Sequence, residues 1–199
     1  MSQSDRASDY FKSTGYVPGG ILTNARRQVL DIAKLPPFLR VLLSMDGTVT
    51  KALEGFFWEP IEVENLGQEE VALAHDMPWL ELAKGASALN RRVRLVGEQS
   101  GTVYAYPQST LRLDLLPVEV RRDILAGRIG IGELLRECGL ETYREILDLG
   151  SETRAEFDPI FNRQGYRDFI YRTYRIFLNH QPTILITERF PLPLFAAHE

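Results

Sequence analysis

The chain has 199 residues, 44% of them hydrophobic and 25% charged, with a formal net charge of −4 at neutral pH. That profile fits one globular domain with a sizeable core, and an acidic balance with no long basic run argues against nucleic-acid binding. One cysteine, Cys138, and three scattered histidines, His75, His180 and His198, exclude an internal disulfide and give no ligand spacing, so no metal site is expected.

Residues 1–22 are polar around Pro18-Gly19-Gly20 and read as an N-terminal tail, leaving 23–199 as a single domain. Thr23 or Asn24 caps an expected helix running to Lys34, which Pro36-Pro37 stops. A second helix is expected over 37–43, with Phe38, Val41 and Leu42 as its buried stripe. Asp46-Gly47 is a turn before a short helix over 49–53. Beyond Gly55 the period becomes two. Residues 58–65 read as a half-exposed strand, with 69–74 as its hairpin partner across Leu66-Gly67. Residues 76–79 open a loop or short helical turn. Strands over 89–96 and 102–106 then flank the tight connection 97–101.

Pro117 begins a helix through Leu125 that ends at Gly127, and Gly130-Ile131-Gly132 leads into another that ends at Gly139. Cys138 reads as a small buried side chain on that helix. Residues 142–149 form an expected strand with Tyr143, Glu145 and Leu147 opposed to Arg144, Ile146 and Asp148. The chain closes with a hairpin, 168–178 and 183–190, turning through Asn179-His180-Gln181-Pro182. Strands in neighbouring hairpins with helices clustered between them imply an α+β fold, a single antiparallel sheet with helices packed on one side. The polar start of the chain and the lack of any long apolar run make a cytoplasmic protein without a membrane span the expectation; oligomeric state is not legible.

Two residues break the alternation. Leu89, Arg91, Val93 and Leu95 share one strand face, and Ile184, Ile186, Glu188 and Phe190 share another. A buried charge is costly unless it is paired or binds a ligand, so one inward cation and one inward carboxylate mark a candidate site for a small anion. The competing reading of Arg91, Arg92 and Arg94 is a basic edge strand, and Glu188-Arg189 becomes a solvated strand end if the pairing slips by one residue. Tyr104, Tyr106, Tyr143, Tyr171 and Tyr174 read as core. Gly130-x-Gly132 lacks the third glycine, the lysine and the preceding strand of a phosphate loop.

Five segments, in order, resemble the chorismate pyruvate-lyase family, in its branch beyond the compact enterobacterial enzymes. They are 46–53 (DGTVTKAL), 90–95 (NRRVRL), 107–111 (PQSTL), 130–135 (GIGELL) and 181–190 (QPTILITERF). The resemblance runs from about residue 36 to 194, and the segment 130–132 and the last hairpin turn depart from the enterobacterial pattern. It implies a chorismate-lyase-like sheet with an enclosed ligand pocket, and a cofactor-free elimination of pyruvate from chorismate to 4-hydroxybenzoate, an aromatic acid used for quinone or other aryl products. It places the carboxylate-binding arginine at Arg91, the acidic residue at Glu188, and further substrate contacts at Ile131 and Val49. Glu188 then assists proton transfer or binds the ring hydroxyl; burial favours its protonated form. Two other readings remain open: a non-catalytic sensor-like or inactive domain that binds small aromatic acids, and a structural or interaction protein in which Arg91 and Glu188 are exposed.

Overall fold

Side chains that alternate between an apolar and a polar face build eight strands, and a computed structural model describes residues 11–127 and 130–197. In chain order the elements are β1 (Ile21–Thr23), β2 (Val29–Asp31), α1 (Pro37–Ser44), α2 (Val49–Phe57), β3 (Ile61–Ala72), β4 (Ser87–Gly97), β5 (Val103–Leu111), α3 (Val118–Ala126), α4 (Ile131–Glu137), β6 (Thr142–Thr153), β7 (Asp168–Leu178), β8 (Gln181–Pro191) and α5 (Leu192–Ala196). Six strands form one sheet in the order β3-β4-β5-β8-β7-β6, and every neighbouring pair is antiparallel. The α+β expectation with a single large antiparallel sheet holds.

The helices pack on one face of that sheet. Leu39, Leu42 and Leu43 of α1, Leu53 of α2, Val120 and Ile124 of α3, and Leu134 and Leu135 of α4 join one core with Leu89, Leu95, Leu111, Ile146, Ile170, Ile176, Ile184 and Phe190 of the sheet. Part of the opposite face is covered as well, at one end of the sheet. There the β6–β7 connection supplies Phe157, Ile160 and Phe161 to a smaller cluster with Val96, Val103, Tyr106 and Phe169.

Several local expectations fail, each for a nameable reason. The helix expected over 24–34 is instead the hairpin of β1 and β2 followed by a single turn of 3-10 helix, Ile32–Lys34. Asn24 does not cap a helix. Its Oδ1 accepts the backbone N–H groups of Arg26 and Gln28 at 3.0 and 2.9 Å, folding the chain back on itself. Leu22 and Leu30 are then buried while Ile21 and Val29 are exposed, a period of two. The tail boundary at residue 22 also moves, since Phe11 and Val17 are buried in the main core. Residues 1–10, and His198, lie outside the described residues.

Leu66-Gly67 is no turn. It is a bulge within the 12-residue β3, where Gly67 adopts φ 142° and the pairing to β4 shifts by one. A second bulge between Ile146 and Asp148 carries Asp148 off the Arg144–Ile146 face, to a position paired with Thr173. In α1 the buried stripe is Leu39, Leu42 and Leu43, and Val41 is exposed. Cys138 follows α4 as its C-cap and is exposed. The last hairpin turns through Asn179-His180 alone, both left-handed, so Gln181 and Pro182 already belong to β8.

The β4–β5 connection is tied down by Glu59. Its carboxylate accepts hydrogen bonds from the backbone N–H groups of Gln99 and Ser100, at 3.0 Å each, and from the hydroxyls of Ser100 and Tyr104. Burial opposes the charge, but these donors hold the carboxyl down at about 2. Its folded value lies below its unfolded one, so this contribution is complete above the unfolded value and is lost as pH falls toward 2. Glu59→Gln is therefore expected to lower the melting temperature at pH 7 by about 2–4 °C, equivalent to about 1 kcal/mol after solvent screening. The difference from the parent protein should shrink as thermal melts are taken from pH 5 toward pH 2.

Candidate functional site

The helix-covered face of the sheet carries its residues in cross-strand rows. In one row Arg91 of β4 lies opposite Ser109 of β5, followed by Ile186 of β8, Tyr174 of β7 and Ile146 of β6. In the neighbouring row Pro107 lies opposite Glu188, followed by Arg172 and Leu149. Arg91 and Glu188 thus share a face two strands and one pleat apart, about 12 Å between backbones at ordinary strand spacing. Both are buried, Arg91 at 2% and Glu188 at 4% exposure, so neither is an edge or strand-end residue.

Over these rows lies a small, partly open pocket. Its floor is Val93, Leu95, Pro107, Ser109, Tyr174, Ile176 and Ile186, and its roof is Gly47–Thr50 and Gly130–Glu133. All four residues expected at the site, Arg91, Glu188, Val49 and Ile131, line it. Val49 begins α2, whose first backbone N–H groups have no acceptor within the helix. Residues 128–129 of the adjoining connection are not among those described.

Two residues of the site escape the motif reading. Arg172, at 1% exposure, donates from Nε to Glu188 Oε2 at 2.8 Å and from Nη1 to the Met45 carbonyl at 2.8 Å. Tyr174 donates its hydroxyl to Glu188 Oε1 at 3.1 Å, and Arg172 stacks over its ring at 4.9 Å. Ile170, Arg172, Tyr174 and Ile176 alternate on β7 in the same way as the Arg91 face, so that alternation was the available signal. An arginine and a phenol thus both donate to Glu188, one to each carboxyl oxygen. Burial first, then the Glu188 charge, pushes the Tyr174 phenol well up, so it stays a donor.

Arg91 donates from Nη2 to the Gly127 carbonyl at 3.3 Å. Burial pulls its guanidinium down from the ordinary arginine value, although it remains charged across the physiological range. An anion delivered to it offsets that desolvation. The arrangement therefore offers a buried cation, a carboxylate acceptor held two strands away, and a wall of aliphatic and aromatic surface between them. That combination suits a planar or near-planar ring with a carboxylate at one end and a hydroxyl toward the other. Among the described residues no cluster of His, Cys, Asp or Glu is placed to hold a metal ion, and no helix is long and apolar enough to cross a membrane.

Residues 43–198 match the protein family described as Chorismate pyruvate-lyase Rv2949c-like. A chorismate pyruvate-lyase of Mycobacterium leprae is 30% identical over 178 residues, covering 87% of this chain and 83% of that protein. A chorismate pyruvate-lyase of Mycobacterium tuberculosis is 23% identical over 175 residues, covering 85% and 88%. In structure the chain is similar to PhnF from Mycobacterium smegmatis, with a TM-score of 0.57 at 12% identity, spanning 74% of this chain and 64% of that one. The effector domain of the same protein also gives 0.57, spanning 73% and 88%. That similarity concerns the fold.

Removing Arg172 strands a buried carboxylate. Arg172→Met is expected to cost about 3–5 kcal/mol in urea unfolding. Adding Glu188→Gln to that variant should recover a large part of the loss, a coupling that a double-mutant cycle measures.

Proposed function

The chain belongs to the Rv2949c-like chorismate pyruvate-lyase family, and on that premise we propose that it eliminates pyruvate from chorismate to leave 4-hydroxybenzoate, without a cofactor. The observation that carries this reading is the placement of Arg91 and Glu188 on one buried face, both lining one pocket.

Arg91 holds the ring carboxylate. An arginine fork grips a carboxylate through two parallel hydrogen bonds, and in a site shielded from water that grip is strong. Glu188, oriented by Arg172 and Tyr174, accepts a hydrogen bond from the ring hydroxyl and stands beside the ring carbon that must lose its hydrogen. Val49 and Ile131 close over the ring from the starts of α2 and α4.

In the reaction the ether C–O bond breaks, and its electron pair leaves with the enolpyruvyl oxygen. The adjacent ring carbon loses its proton, and the electrons of that C–H bond complete the aromatic ring. The released enolpyruvate takes up a proton at its methylene carbon to become pyruvate. Aromatisation drives the reaction, so the protein's part is to fix one conformer, exclude water and provide an acceptor near the departing proton.

Purified protein incubated with chorismate is expected to yield pyruvate, followed by a coupled dehydrogenase, and 4-hydroxybenzoate, followed by chromatography, in equal amounts. Arg91→Ala should lower kcat/KM by at least about 100-fold while far-UV circular dichroism stays native. A folded parent protein that releases no pyruvate above the spontaneous background would refute the lyase reading and favour a binding role.

A further inference from the structure

Arg91 and Glu188 account for one carboxylate and the hydroxyl of a chorismate-like ligand, and the second carboxylate, on the enolpyruvyl side chain, has no partner among them. Arg144 lies on β6 opposite Ile176 of β7, which puts it on the pocket face, and it lines the pocket from the side opposite Arg91. Four strand spacings, about 19 Å across the sheet, separate the strands of the two arginines, and the strand of Glu188 lies between them.

The guanidinium of Arg144 is only partly used. Nη1 donates to the Asp46 carbonyl at 2.8 Å, which anchors it beside the Gly47–Thr50 roof. Its buried Nε makes no hydrogen bond. Among the described residues no carboxylate lies within ion-pair distance of Arg144. Its sequence neighbour Glu145 is held by Arg175 at 2.6 Å. Glu188 and Glu133, the two carboxylates that line the pocket, are held by Arg172 and Arg136. A half-buried cation with a buried, unsatisfied Nε at the rim of the pocket is a binding group in waiting.

We propose that Arg144 receives the carboxylate of the enolpyruvyl side chain, and so makes this site select a dicarboxylate over the monocarboxylate it leaves behind. This inference rests on the lyase reading for the identity of the ligand. It also has a mechanistic consequence. The group that departs is gripped by Arg144 while the ring is gripped by Arg91, so the two halves of the substrate are held separately across the bond that breaks.

The test compares Arg144→Gln and Arg144→Lys with the parent protein on two ligands. For Arg144→Gln the KM for chorismate should rise about 10- to 100-fold, the range expected for a charge-assisted hydrogen-bonded pair. The affinity for 4-hydroxybenzoate, measured by calorimetry, should stay within about twofold. Arg144→Lys should recover part of the chorismate affinity, as a point charge without the fork. If Arg144 only braces Asp46 and the roof, both ligands weaken together; that result, or an unchanged KM for chorismate, overturns the proposal and leaves the lyase reading standing. If the parent protein makes no pyruvate, the lyase reading fails, and chorismate itself is titrated by calorimetry. A loss confined to chorismate in Arg144→Gln then still supports Arg144 as the second-carboxylate site, and an equal or absent loss overturns it.

Discussion

The rest of the structure is organised around ionised side chains held on the inner face of a sheet. Arg91, Arg172 and Glu188 are each at most 4% exposed. An isolated charge there is prohibitive, and even a pair must be matched in geometry before attraction offsets the loss of water. Arg172 and Glu188 meet that demand directly across neighbouring strands, with Tyr174 and the Met45 carbonyl taking further donors and acceptors. The pair fixes the register of β7 against β8, because a slip of one residue exposes it to the other face and breaks both contacts. It also reaches the end of α1, since Met45 is that helix's C-cap, and so ties the roof to the floor.

Polar cost explains why the pocket exists. The core on this face is continuous from α1 and α2 across to β7, yet it opens where Arg91, Arg144 and Glu188 come together. Aliphatic side chains packed against these groups would compete with their polar contacts, whereas a small polar ligand can add to them. The two helix starts that roof the space carry Gly47, Gly130 and Gly132, which take little room. PhnF shares the sheet architecture at 12% identity, so the fold by itself does not set the chemistry, which rests on the few inward polar side chains.

Much of the long-strand pattern was legible because alternation is a local property. The inward positions of Arg91 and Glu188 follow from neighbours two residues away, and the burial of Leu89, Val93, Leu95, Ile184, Ile186 and Phe190 bears that out. The bulges at Gly67 and Leu147 were not legible, since each depends on a partner strand whose register is set elsewhere. The segment 24–34 failed because a side-chain turn at Asn24 competes with a helix cap built from the same residue. Arg172 and Tyr174 were within reach of the alternation argument applied to β7.

By itself the sequence determined the α+β class, the inward faces of β4 and β8 and the presence on them of two charges of opposite sign, because burial, charge and a period of two are carried by residues close together in the chain. Only the tertiary structure decided which charges meet. Arg172, sixteen residues before Glu188, is its ion-pair partner, and Arg91 and Arg144 are brought to opposite sides of one pocket by a strand order that inserts β8 between β5 and β7. Electrostatic pairing depends on distance in space, and that distance is set by sheet topology.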